Sequence, residues 1–100
     1  MRTGAFFFGQ VEMDDVGAGP PAPTDRRYDA KACWHGLMRM LDAGVAAEDA
    51  GFDSFWLTEH HFQHEGYEVV PNGLLFGAVL AERTERIRIC LLYTSDAADE

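Results

Sequence analysis

Apolar positions along the chain fall into blocks separated by polar or glycine- and proline-rich stretches. The first block, Gly4 to Gly9, encloses Ala5-Phe6-Phe7-Phe8 between two glycines. A short apolar run without alternation marks a strand covered on both faces, as in parallel sheets. From Gln10 to Arg27 the residues Gly17, Gly19, Pro20, Pro21 and Pro23 erase any period, and a long loop is expected. From about Ala30 to Ala50 the spacing turns helical. Leu37, Leu41 and Val45 recur every four residues, and Met40, Ala43, Ala46, Ala47 and Ala50 widen the apolar side. Gly51 supplies a left-handed stop, and a Gly51-Phe52 link leads into a second short strand, Asp53 to Leu57, as in an αβ connection.

After the polar, histidine-rich stretch Thr58 to Glu68, Pro71 and Asn72 open a second helix, Gly73 to about Arg83. Its Leu74, Leu75, Phe76, Val79 and Leu80 leave little polar face, so this helix is expected to be largely buried. Arg86-Ile87-Arg88-Ile89 begins a third strand. The order β-α-β-α-β places the chain in the α/β class and calls for parallel pairing through right-handed crossovers. Periodicity does not separate a closed barrel from an open, doubly wound sheet. No G-x-G-x-x-G follows the first strand, which counts against the dinucleotide-binding version of the latter.

With 100 residues, 47% hydrophobic and 25% charged, the chain can bury a core. It is far short of the roughly 250 residues that a (β/α)8 barrel needs. A net charge of −9 without a clustered patch of lysines and arginines argues against a nucleic-acid partner. Cys33 and Cys90 fit neither a zinc spacing nor a disulfide framework, so reduced cytoplasmic thiols are expected. Ala5 to Phe8 is too short for a signal sequence and no stretch of 18 apolar residues follows; no membrane role is expected. Cys90 to Glu100 resembles, residue for residue, the translation of a transposase adapter used in preparing sequencing libraries. The natural sequence is accordingly expected to stop near Ile89, with 90–100 a non-native tail.

The chemistry concentrates in Gly51-Phe52-Asp53-Ser54-Phe55-Trp56-Leu57-Thr58-Glu59-His60-His61-Phe62. The end of a parallel strand here carries an acid and two imidazoles in a row. In a barrel that end is the catalytic face, and histidine exchanges protons near neutral pH. Neighbours on an extended chain point to opposite faces, so His60 and His61 share a cavity only if the strand has already turned. Glu59 is placed to orient an imidazole by accepting its N–H, or to pair with an arginine elsewhere. His64 and Glu65 read as solvated loop residues, and His35 as exposed.

The Glu59-His60-His61-Phe62 tetrapeptide, the turn and strand before it, the Pro71-Asn72 helix start and the run Leu80-Ala81-Glu82-Arg83-Thr84-Glu85-Arg86-Ile87-Arg88-Ile89 resemble the opening of the bacterial luciferase-like flavin-dependent monooxygenases. The likeness covers residues 1–89. It implies that the β-α-β-α-β unit is the truncated N-terminal portion of a (β/α)8 TIM barrel. It also implies an oxidoreductase using reduced FMN, or a deazaflavin in sister branches, with dioxygen as co-substrate to oxygenate a small organic molecule. By the same resemblance His60 is the catalytic acid/base, His61 its neighbour, and the cofactor contacts lie mostly beyond Ile89. A flavin reductase partner and a dimeric parent follow from the likeness too. Three other readings stand beside this one: a deazaflavin-dependent oxidoreductase of the same fold that transfers hydride, a metal-dependent hydrolase, and a non-enzymatic interaction fragment. The hydrolase would use Glu59, His60, His61 and His64, although H-E-x-x-H is absent and His61 to His64 leaves no third ligand in place.

Overall fold

A computed structural model describes residues 1–7, 9–11, 30–59 and 70–92. The elements follow the order β1 (Gly4–Phe7), α1 (Ala30–Asp49), β2 (Ser54–Thr58), α2 (Gly73–Arg83) and β3 (Arg88–Leu92). They build one sheet of order β1-β2-β3 in which both pairings are parallel. Gly4 stands opposite Ser54 and Phe6 opposite Trp56, while Ser54 stands opposite Arg88 and Thr58 opposite Leu92. Among the described residues no helix is long and apolar enough to cross a membrane.

Helix α1 ends where its sequence says it should: Gly51 takes φ 91, a conformation costly for any residue with a Cβ. Its buried line is rotated slightly from the Leu37-Leu41-Val45 stripe. Gly36, Met40, Leu41, Gly44, Ala47 and Glu48 are buried, whereas Leu37 and Val45 flank the core. Small residues set that rotation by letting α2 come close. A Cβ built on Gly44 would lie 2.7 Å from Leu80 Cδ1, so the two helices meet at this glycine.

Helix α2 starts on Asn72, whose Oδ1 accepts the Leu75 backbone N–H at 2.9 Å. Gly73, Phe76, Gly77 and Leu80 face inward, but Leu74 and Leu75 are 68% and 65% exposed. The expectation of a largely buried helix is thus corrected. At 3.6 residues per turn only one stripe reaches the sheet, and among the described residues nothing lies over the other. Strand β1 departs from expectation likewise: Phe6 and Phe7 are 43% and 44% exposed. An apolar run tells what a segment can bury, and among the described residues β1 has a neighbouring strand on one side only. Phe7 does stack on Phe55, ring centroids 5.5 Å apart.

Strands β2 and β3 begin later than their apolar patterns suggest, for a backbone reason. Asp53 is held in a turn, its Oδ2 accepting the Thr3 N–H at 2.7 Å and its own N–H going to Thr3 O. The backbone N–H groups of Arg86 and Ile87 are taken by Glu48 before pairing with β2 begins. Strand β3 then runs on through Cys90, Leu91 and Leu92; residues 93–100 lie outside the described residues.

The core sits between the sheet and the helices, where Leu41, Phe55, Leu57, Val70 and Leu80 are all but inaccessible. Each such side chain contributes roughly 1.5–3 kcal/mol by burial, so this seam holds the unit together. Leu57, Ile89 and Leu91 point to α2, all within 3.8 Å of where a Cβ on Gly77 would stand. Alternation then assigns the rows Gly4-Ser54-Arg88, Phe6-Trp56-Cys90 and Thr58-Leu92 to the opposite face. Among the described residues no helix covers that face.

Candidate active site at the carboxyl ends of the strands

Parallel pairing brings the C-terminal ends of β1, β2 and β3 to one edge, at Phe7, Thr58 and Leu92. Thr58 closes the central strand and Glu59 follows it. Thr58 is 6% exposed, and its Oγ1 is buried with no hydrogen-bond partner among the described residues. A buried hydroxyl left without a partner costs about 1–3 kcal/mol, and native chains seldom carry one without a use for it. By alternation it belongs to the face away from the helices.

Glu59 belongs to the other face. It is half-buried, and a Cβ on Gly73 would lie 3.5 Å from its Oε2 and 3.6 Å from its Cβ. Its carboxylate therefore stands beside the first residue of α2, at the helix end whose free N–H groups favour an anion. The structure thus seats Glu59 where β2 meets α2, close to the strand end but directed away from the open sheet face. His60 and His61 lie outside the described residues, as do His64, Glu65 and positions 12–27 of the long loop. Gln10 and Val11 at the start of that loop are described: Val11 is buried, and Gln10 O accepts from Arg39 at 3.3 Å. His35 is exposed on α1, as its position on the helix suggests.

The residues present fit a flavin or deazaflavin ring by their donor and acceptor chemistry. A desolvated hydroxyl with no partner among the described residues stands at the strand end where α/β sheets gather ligands, while the Glu59 carboxylate behind it is turned to α2. Such a ring has a polar edge of amide and carbonyl groups that a hydroxyl can both donate to and accept from. Among the described residues no three His, Cys, Asp or Glu side chains converge as metal ligands, and the three histidines of the metal reading lie outside them.

One acidic residue escapes sequence reasoning altogether. Glu48, 8% exposed near the end of α1, accepts the backbone N–H groups of Glu85, Arg86 and Ile87. The contacts to Arg86 and Ile87 are both 2.8 Å, and the Arg86 guanidinium donates back to the Glu48 carbonyl at 2.9 Å. The Arg86 backbone N–H, followed by that of Ile87, holds the Glu48 carboxyl below its ordinary value; burial opposes this without overcoming it. Glu48 is a positioning residue: it sets the turn that launches β3. Its signal was its place seven residues after Leu41, an acid on the buried stripe of a helix.

Comparison with known proteins extends what the geometry shows. An F420-dependent glucose-6-phosphate dehydrogenase from Microbacterium testaceum is 41% identical over 64 residues, covering 62% of this chain and 19% of that protein. A protein of the same name from Amycolatopsis mediterranei is 36% identical over 64 residues, again 62% of this chain and 19% of the relative. The uncharacterized protein y4vJ of Sinorhizobium fredii is 36% identical over 53 residues, 53% of this chain and 14% of its own length. The chain thus spans no more than about a fifth of the length of these relatives. Residues 1–92 match the family model described as luciferase-like monooxygenase, so the chain belongs to that family.

Proposed function

We propose that this chain is the opening portion of a (β/α)8-barrel oxidoreductase that binds a deazaflavin and transfers hydride between it and a small organic substrate. The observation that carries the cofactor choice is the pair of relatives named as F420-dependent dehydrogenases, at 41% and 36% identity. The parallel β-α-β-α-β unit supports the barrel, since it repeats the unit from which such barrels are built. The cofactor, when bound, supplies the hydride donor or acceptor.

This chain's own residues supply the setting. Thr58 offers its hydroxyl to the polar edge of the ring, and Glu59 stands at the N-terminus of α2 to fix the segment that begins with His60. His60 moves a proton at the substrate's reacting oxygen while the hydride passes, the task its near-neutral pKa suits. His61 supports it from beside the pocket.

The second reading, oxygenation with reduced FMN and dioxygen, is favoured by the Glu59-His60-His61-Phe62 tetrapeptide and by the family's description. A flavin reductase would then be its partner. The two readings separate in one experiment on the protein at full natural length: anaerobic turnover with F420 against aerobic turnover with reduced FMN. Deazaflavin reduction without oxygen supports the proposal. Turnover seen only with FMN and dioxygen transfers the function to the second reading.

A further inference from the structure

A cavity of about 280 Å3 opens at the other end of the sheet, lined by Arg2, Asp53, Ser54, Arg86 and Arg88. Ser54 and Arg88 are the first residues of β2 and β3 and stand opposite each other in the register. At about 3.3 Å per residue, the cavity lies roughly 13 Å along β2 from Thr58, away from the proposed redox site. Three of the 8 basic side chains of a chain with net charge −9 converge here, against one carboxylate.

Only part of that positive charge is used, by Arg86, which lies beside the Glu48 carboxylate. Asp53 turns one carboxylate oxygen to the Thr3 N–H. Arg86 gives one N–H to the Glu48 carbonyl and keeps the rest of its fork. Among the described residues the guanidinium groups of Arg2 and Arg88 meet no ion-pair partner. Ser54 Oγ accepts the Trp56 indole N–H at 2.9 Å, which leaves its own proton for an acceptor in the cavity. Guanidinium groups gathered around one space repel unless an anion lies between them, and their planar forks match the oxygens of phosphate. At about 30 Å3 per water, the cavity has room for a tetrahedral oxyanion and a substituent.

We propose that this cavity binds a phosphate-type dianion, either free phosphate or the head of a phosphomonoester, tying together the N-terminal ends of β1, β2 and β3. Such a ligand binds the folded state alone and stabilises it by mass action. The test is calorimetric titration of the protein at full natural length with inorganic phosphate and with glycerol 3-phosphate, at constant ionic strength held with chloride. Saturable binding is expected, weakened about tenfold in Arg88→Gln and in Arg2→Gln, and unchanged in Lys31→Gln on the exposed side of α1. Tighter binding of the ester identifies a phosphomonoester as the occupant and the reverse order free phosphate; either supports the site. Absence of saturable binding overturns the proposal, as does equal affinity in wild type and both arginine variants. Arg2 precedes β1 in an exposed segment, so its variant keeps the test decisive if Arg88→Gln fails to fold.

Discussion

At the scale of single residues, Thr58 and Glu48 present opposite cases. The Thr58 hydroxyl is buried with no partner among the described residues, whereas the Glu48 carboxylate has more donors than oxygens. If Thr58 is kept for a ligand, Thr58→Val removes an unpaired hydroxyl at almost constant volume. The variant should gain about 1 kcal/mol in the cofactor-free state and bind the deazaflavin roughly three- to tenfold more weakly. Urea unfolding and a fluorescence titration read the two effects, and a loss of stability would mean that the hydroxyl has a partner in the protein. For Glu48 the sign follows from its lowered pKa. A carboxyl held below its unfolded value contributes stability that is full above that value and is lost as pH falls through the folded one. Glu48→Gln should therefore unfold at lower urea than wild type near neutral pH, with the gap closing as pH drops below 4.5. A gap independent of pH would show that shape, not charge, holds the turn.

At the scale of elements, the seam between α1 and α2 rests on Gly44 against Leu80, which is fully buried. Gly44→Ala gains about 0.5–1 kcal/mol of helix propensity but places a methyl 2.7 and 2.8 Å from the two Leu80 methyls. Overpacking of that kind costs about 1–3 kcal/mol, so a net loss near 1 kcal/mol is expected. Leu80→Ala alone should lose about 2–5 kcal/mol through the hole it leaves. The double variant should lose less than the two singles together, because the new methyl occupies part of that hole; additive losses in urea unfolding would remove the contact from the account. The elements themselves were legible in sequence wherever one residue carries a local reason. Gly51 stops α1 by its positive φ, and Asn72 starts α2 by its side-chain cap. Strand limits were less so, because Thr3 and Glu48 decide them from 50 and 37 residues or more away. The outward leucines of α2 misled for a related reason: hydrophobicity records what a position can bury, and the neighbours decide whether it does. At the candidate site Glu59 was found by its place at a strand end, but its position beside Gly73 of α2 is a contact 14 residues along the chain that no local pattern contains.

At the scale of the whole molecule, one sheet face and both sheet edges are open among the described residues. Edge strands β1 and β3 carry backbone groups that no further strand pairs, and Phe6, Leu74, Leu75 and Leu92 are each more than two-fifths exposed. These surfaces invite self-association, while a net charge of −9 opposes it. The two tendencies respond differently to salt. Charge repulsion between chains is screened beyond about 10 Å at 0.1 M ionic strength, whereas apolar attraction and strand pairing are not weakened by it. The 100-residue chain should therefore sediment faster as its concentration rises, and more so at about 0.5 M salt than at about 0.02 M. If it stays monomeric under both conditions, the exposed faces are covered within the chain itself. Association that salt suppresses would instead point to attraction between the arginine-lined cavity of one copy and the acidic surface of another.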